Sequence, residues 1–136
     1  MVYTDNKDNN ENTARNKSKK LAVRIVNLYK HLSKEKKEYV LSKQLLRSGT
    51  SIGANLAEAE YAMSDKDFLA KIYIALKESA ETVFWLELLF HTEYLSETEY
   101  NSINEDALEL LKMLKATTKT LSQKLKTQKQ AKKLKN

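Results

Sequence analysis

Few residues in this chain have the types and spacing that support chemistry. It holds two histidines, His31 and His91, and no cysteine. The histidines stand far apart with no ligand-spaced companion, which suits packed or solvated side chains better than a metal pair. Without cysteine there is no disulfide framework, thiol nucleophile or thiolate metal site. Glu58, Glu78 and Glu81 could act as paired carboxylates. However, no histidine, metal-ligand companion or nucleophile accompanies them at a useful spacing. The only two glycines, Gly49 and Gly53, fall in RSGTSIGANLAEA (residues 47–59) beside Ser and Thr. That composition resembles a phosphate cradle, yet the stretch lacks the G-x-x-x-x-G-K-[ST] pattern and no strand precedes it. The expectation is a protein without metal, cofactor or catalytic centre.

Charge is the remaining chemistry. The net charge of +6 is unevenly spread: residues 64–95 carry six acidic side chains against three basic, and no acidic residue follows Glu109. The final stretch, LSQKLKTQKQAKKLKN, offers Lys124, Lys126, Lys129, Lys132, Lys133 and Lys135. Such a concentration attracts polyanions and releases counterions from nucleic acid. It equally suits a solubilising tail.

The elements that must carry these groups read as four helices and no strand. Leu21, Ile25, Leu28 and Leu32 keep the three-four spacing of one apolar stripe. Ser33 is the expected N-cap of a second helix through Leu41, Leu45, Ile52, Leu56 and Ala59, whose stripe does not break at the glycines. Ser64, with Asp65 and Asp67 behind it, suits the start of a third helix, which continues through Phe68, Ile72, Leu76, Val83, Leu86 and Phe90. Ser96 and Glu99 form an S-x-x-E capping box ahead of Ile103, Ala107, Leu110, Leu114, Leu121 and Leu125. The expected organisation is a disordered polar segment at 1–14, a bundle at 15–123 and a basic tail at 124–136. Short connections make the bundle all-α, antiparallel and up-down-up-down. The chain has no signal-peptide pattern and no apolar run of ~18 residues, so a cytoplasmic protein is expected.

Within that frame the glycines lie one turn apart on one side of a helix, where each costs roughly 1 kcal/mol relative to Ala. A close approach by a neighbouring helix would offset the cost. Gln44, Arg47, Ser51, Asn55 and Glu58 form a polar line on the same helix. Ser51 and Asn55 are poor helix-interior residues unless their side chains find partners, which predicts a network across a helix or subunit contact. On the third helix, Ile74, Trp85 and Leu89 fall on a flank with Lys71, Glu78 and Thr82; this suits a broad core-facing stripe, but the chain's one Trp beside a Lys and a Glu suits an oligomer interface better.

QLLRSGTSIGANLAEA and the following SDKDFLAKIYIALKESAETVFWLELL resemble the four-helix-bundle family of 23S rRNA intervening-sequence proteins. That family is itself similar to the accessory variability determinants of diversity-generating retroelements. The resemblance covers roughly residues 18–122. It is carried by Arg47, Ser51, Ile52, Asn55, Leu56, Ala57, Glu58 and Ala59, and on the third helix by Lys71, Ala75, Glu78, Glu81 and Trp85. Ala59 departs from the glycine of many relatives, and a proline often found after the first helix is missing. The resemblance implies a homopentamer with no established enzymatic activity, and retroelement relatives bind nucleic acid and a reverse transcriptase.

Two functions follow as expectations. One is a non-enzymatic oligomer that binds RNA or DNA through phosphate contacts from Arg15, Lys17, Lys19, Lys20, Lys124, Lys126, Lys129, Lys132 and Lys133. The other is a protein-docking scaffold, with a reverse transcriptase as one partner. In either case Arg47, Ser51, Asn55, Glu58, Lys71, Glu78 and Trp85 supply the oligomer interface or polar network.

Overall fold

Each helix begins where a side chain satisfies backbone N–H groups that the helix itself leaves unpaired. The computed structural model describes residues 13–135 and shows α1 (Ala14–Lys34), α2 (Leu41–Ala59), α3 (Asp65–His91) and α4 (Glu97–Lys135), with no strand among the described residues. The polar segment expected at 1–14 lies outside the described residues as far as position 12. Thr13 caps α1, its hydroxyl accepting from Asn16 N at 3.1 Å. Ser64 caps α3 through Asp67 N at 3.0 Å. The Ser96–Glu99 capping box is present in both directions: Ser96 N donates to Glu99 Oε1 at 2.9 Å and Glu99 N to Ser96 Oγ at 3.1 Å.

The start of α2 corrects the sequence reading. Ser33 lies in the last turn of α1, where its hydroxyl donates back to the Tyr29 carbonyl at 2.8 Å. Glu38 does the capping instead. Its carboxylate accepts from Val40 N at 3.0 Å, Leu41 N at 2.9 Å and Ser42 N at 2.6 Å. Two carboxylate oxygens therefore serve three orphan donors at the positive end of the helix dipole. The chain reaches this point through Lys37 at φ 58°, a left-handed turn made without glycine.

Both glycines lie inside α2 with ordinary negative φ, so they serve packing and not turning. A Cβ at Gly49 would run into Ile25 Cδ1 of α1 and lie 3.0 Å from Ile25 Cγ2. One at Gly53 would sit 3.1 Å from Ser18 Oγ. Removing two side chains lets α1 and α2 close on each other, and Ile25 becomes fully buried in the gap. Complete burial of such a side chain is worth roughly 1.5–3 kcal/mol, enough to offset a helical glycine.

The helices pack in cyclic order, α1 on α2, α2 on α3, α3 on α4 and α4 back on α1, with no contact across either diagonal among the described residues. This is the expected four-helix bundle. Leu21, Ile25 and Leu32 meet Leu45, Ile52 and Leu56, then Ile72, Leu86 and Leu89, then Ile103, Leu110 and Leu114 around one core. The last buried residue of α4 is Thr118, but the helix runs on unbroken to Lys135. Its 39 residues span ~58 Å at ~1.5 Å per residue, well beyond the ~40 Å that the same rise gives the 27 residues of α3. The basic tail is therefore a helical continuation, with no break between 123 and 124.

Candidate functional site

Two charged regions stand out, a seam between α2 and α3 and the projecting end of α4. In the seam, the Arg47 guanidinium on α2 donates to Glu78 Oε2 at 3.2 Å and Glu81 Oε1 at 2.5 Å, both on α3. Glu81 Oε1 also accepts from Trp85 Nε1 at 3.0 Å. The hydrogen bond from Arg47, then that from Trp85, holds the Glu81 carboxyl below the ordinary glutamate range, and Glu81 in turn pushes the guanidinium up. Beneath this cluster the buried Ser48 and Thr82 hydroxyls meet at 3.1 Å. Near the far end of α2, Lys71 Nζ lies 3.3 Å from Glu58 Oε2.

The polar line expected on α2 thus exists, but its members divide. Arg47 and Glu58 reach across to Glu78 and Lys71, and Trp85 joins through Glu81. Ser51 and Asn55 do not cross: Asn55 Nδ2 donates to the Ser51 carbonyl at 2.8 Å and to its hydroxyl at 3.1 Å, within α2. Glu81, which the sequence offered as a carboxylate partner and as part of the family pattern but not in the polar network, is the hub of the cluster.

The expected outer flank of α3 is corrected at two positions. Leu89 and Thr82 are fully buried, because α3 packs on α2 and α4 together and its inward arc is wide enough to include them. Ile74 stays outside, with Tyr73 and Phe84, the latter 53% exposed. Phe84 stands edge-on to Trp85, centroids 5.0 Å apart. Tyr73 and Phe84 stand about three helical turns apart and so share one face, a spacing present in the sequence beside the longer apolar stripe.

The basic residues also separate into two groups. Arg15 pairs with Glu60, and Lys17 Nζ lies 2.7 Å from Glu109 Oε1. Arg24, which the sequence reading did not single out, donates to Asp106 at 2.6 Å and Ser102 Oγ at 2.8 Å. These pairs fasten α1 to the end of α2 and to α4. Lys19 and Lys20 are exposed on α1, and Lys124, Lys126, Lys129, Lys132 and Lys133 are exposed on the projecting part of α4. A groove of about 600 Å³ between α1 and α2 has Ser18, Ala22, Thr50 and Gly53 along it and Arg15 and Lys19 at its rim, with no acid–base pair in its lining. Among the described residues, no three His, Cys, Asp or Glu side chains gather as a metal would need. No described helix is long and apolar enough to cross a membrane.

These features define an all-helical bundle protein with a charged inter-helix seam and a long basic helical extension. The chain belongs to the 23S rRNA-intervening sequence protein family, whose model matches residues 10–116. It is also similar to a crystal structure from Bacteroides thetaiotaomicron, described as a protein of unknown function from the S23 ribosomal protein family. The two are 57% identical with a TM-score of 0.77, and the match covers 79% of this chain and 99% of that one. No curated protein matches the chain.

Proposed function

We propose that the protein is a non-enzymatic, oligomeric nucleic-acid-binding accessory protein whose basic surface contacts the phosphate backbone. The observation that carries this reading is the α4 segment after Glu109. It bears no acidic residue, its lysines are exposed, and its end projects clear of the bundle. Lysines held along one helix and not ion-paired with any described residue can exchange counterions for phosphates at little ordering cost. Self-association through the outer face of α3 would multiply the charge. The family resemblance implies a pentamer, and five copies raise the field that draws in a polyanion.

A gel shift of the full chain with structured RNA and duplex DNA over a salt series tests this reading. Binding should weaken steeply with salt, and deleting residues 124–136 should reduce it. A shift unchanged by that deletion removes the extension from the site. Light scattering should return a mass near five protomers, and Phe84→Glu or Trp85→Glu should lower it. An unaltered mass removes the α3 face from the interface.

The second reading, a protein-docking scaffold, is favoured by exposed Tyr73, Ile74 and Phe84 on an otherwise acidic segment. The resemblance to retroelement accessory proteins makes a reverse transcriptase the partner class to test on that face. Pull-down that persists in high salt and fails in Phe84→Glu would support it.

A further inference from the structure

Six of the nine lysines after Glu109 share one side of α4. At ~100° per residue, Lys112, Lys115, Lys119, Lys126, Lys129 and Lys133 fall within one sector about 100° wide, and Ser122 completes the alternation of three- and four-residue steps. A three-four repeat drifts only ~20° per heptad on a straight helix, so the row stays on one side over its length. All six lysines are exposed, and none is ion-paired with a described residue. Lys124, Lys132 and Lys135 point to the opposite side of the helix.

The bundle sets the direction of this row. Leu110, Leu114 and Thr118 are buried against the core, which fixes the rotation of α4 and turns Lys112, Lys115 and Lys119 to the surface. Because the helix is unbroken to Lys135, Lys126, Lys129 and Lys133 continue in phase beyond the bundle. The row covers ~32 Å with a step of ~5 Å.

We infer that this row is a backbone-tracking face for double-stranded RNA, an inference that rests on the nucleic-acid reading above and deepens it. After Glu109 the helix carries no aromatic residue on which an unpaired base could stack. A single file of ammonium groups contacts phosphates and reads no sequence. Its ~5 Å step keeps successive ammonium groups, on flexible four-carbon stems, within reach of successive phosphates of one strand. A-form helices are recognised through backbone and shape, their deep major groove being closed to side chains.

The test compares three full-length variants that each remove three charges, with far-UV circular dichroism to verify helicity. Two alter the row: Lys112→Gln with Lys115→Gln and Lys119→Gln, and Lys126→Gln with Lys129→Gln and Lys133→Gln. The third alters the opposite side: Lys124→Gln, Lys132→Gln and Lys135→Gln. Affinity for a blunt RNA duplex is measured across a salt series, beside DNA duplex and single strands of the same sequence. Each engaged lysine contributes ~0.9 to the log–log salt slope, so each row triple should lower the slope by ~2–3 and the opposite triple by less than ~1. Equal losses from row and opposite triples overturn the row and leave the nucleic-acid reading standing. Tighter binding of the DNA duplex or of the single strands overturns the choice of duplex RNA. A wild-type chain that binds no nucleic acid overturns both.

Discussion

Helix α2 meets its two neighbours in opposite ways. Towards α1 it removes side chains: Gly49 and Gly53 leave room for Ile25 and Ser18, and the contact is dry at Ile25. Towards α3 it adds them: Arg47, Ser48 and Glu58 reach out to Glu78, Glu81, Thr82 and Lys71. The first contact depends on shape, so a single methyl group added at Gly49, against Ile25, should disturb it. The second sets exposed ion pairs that water and salt screen, each worth about 0–1 kcal/mol, above the buried Ser48–Thr82 hydrogen bond. The difference teaches that one helix can meet one neighbour through close shape and bridge to the other with polar groups, above an apolar core that both contacts share.

The largest expected effect comes from the glycine side. Gly49→Ala gains helix propensity but forces the buried Ile25 side chain to shift, and overpacking of this kind costs ~1–3 kcal/mol. Urea denaturation should show a lower midpoint with an unchanged slope. A stabilised variant would mean that α1 can back away freely, and the contrast between the two contacts would disappear.

The next effect lies at the start of α2, on which both contacts depend. Burial pushes the Glu38 carboxyl up. The donors on Leu41, Ser42 and Val40 together outweigh that and hold it below the ordinary range. Glu38→Gln retains one acceptor and loses the charge, and loss of a good cap costs about 1 kcal/mol. Glu81 is lowered first by Arg47, and Glu99 first by the Ser96 N–H, so all three carboxyls share one direction. Depressed folded values mean that the stabilisation is complete above ~4.3, the ordinary glutamate value. It is lost as pH falls through the lower folded values. The melting temperature should hold from neutrality to about pH 5 and drop below pH 4, less steeply in Glu38→Gln than in the wild type.

The charged side should respond more weakly. Arg47→Ala breaks both ion pairs, yet Arg47 is half exposed, so the loss should be below ~1 kcal/mol and should shrink further at high salt. A loss of several kcal/mol would show that the seam carries structural load comparable to the glycine contact.

Much of this was legible in the residues. The four apolar stripes, the Ser64 cap, the Ser96–Glu99 box and the glycine pair as a helix contact all follow from local spacing, and local spacing is what sequence displays. Ser33 misled because serine is a preferred cap, whereas Glu38 caps from before the helix through a side chain folded back on three amides, a geometry with no short pattern. Leu89 and Thr82 were misplaced because the width of the α3 inward arc depends on two neighbours, and one helical wheel holds neither. At the candidate site the basic residues were visible, but their sorting was not. Arg15 and Lys17 take partners on α2 and α4 that only the packing reveals, and the lysine row of α4 appears once its buried side is known.

The smallest expected effect is the most discriminating. Gly53→Ala offers the same propensity gain as Gly49→Ala, roughly 1 kcal/mol, but its new Cβ meets a single hydroxyl at 3.1 Å. Ser18 Oγ donates to the Arg15 carbonyl at 2.6 Å, so moving it aside weakens one hydrogen bond of about 1 kcal/mol. The two effects nearly cancel, and the variant should lie within ~0.5 kcal/mol of the wild type. Because the backbone contribution is common to both alanine variants, the difference in their stabilities isolates the Ile25 collision from the intrinsic helix preference. Equal losses at 49 and 53 would instead place the tight approach along the whole length of the glycine pair, and the dry side of α2 would be longer than the geometry at Ser18 indicates.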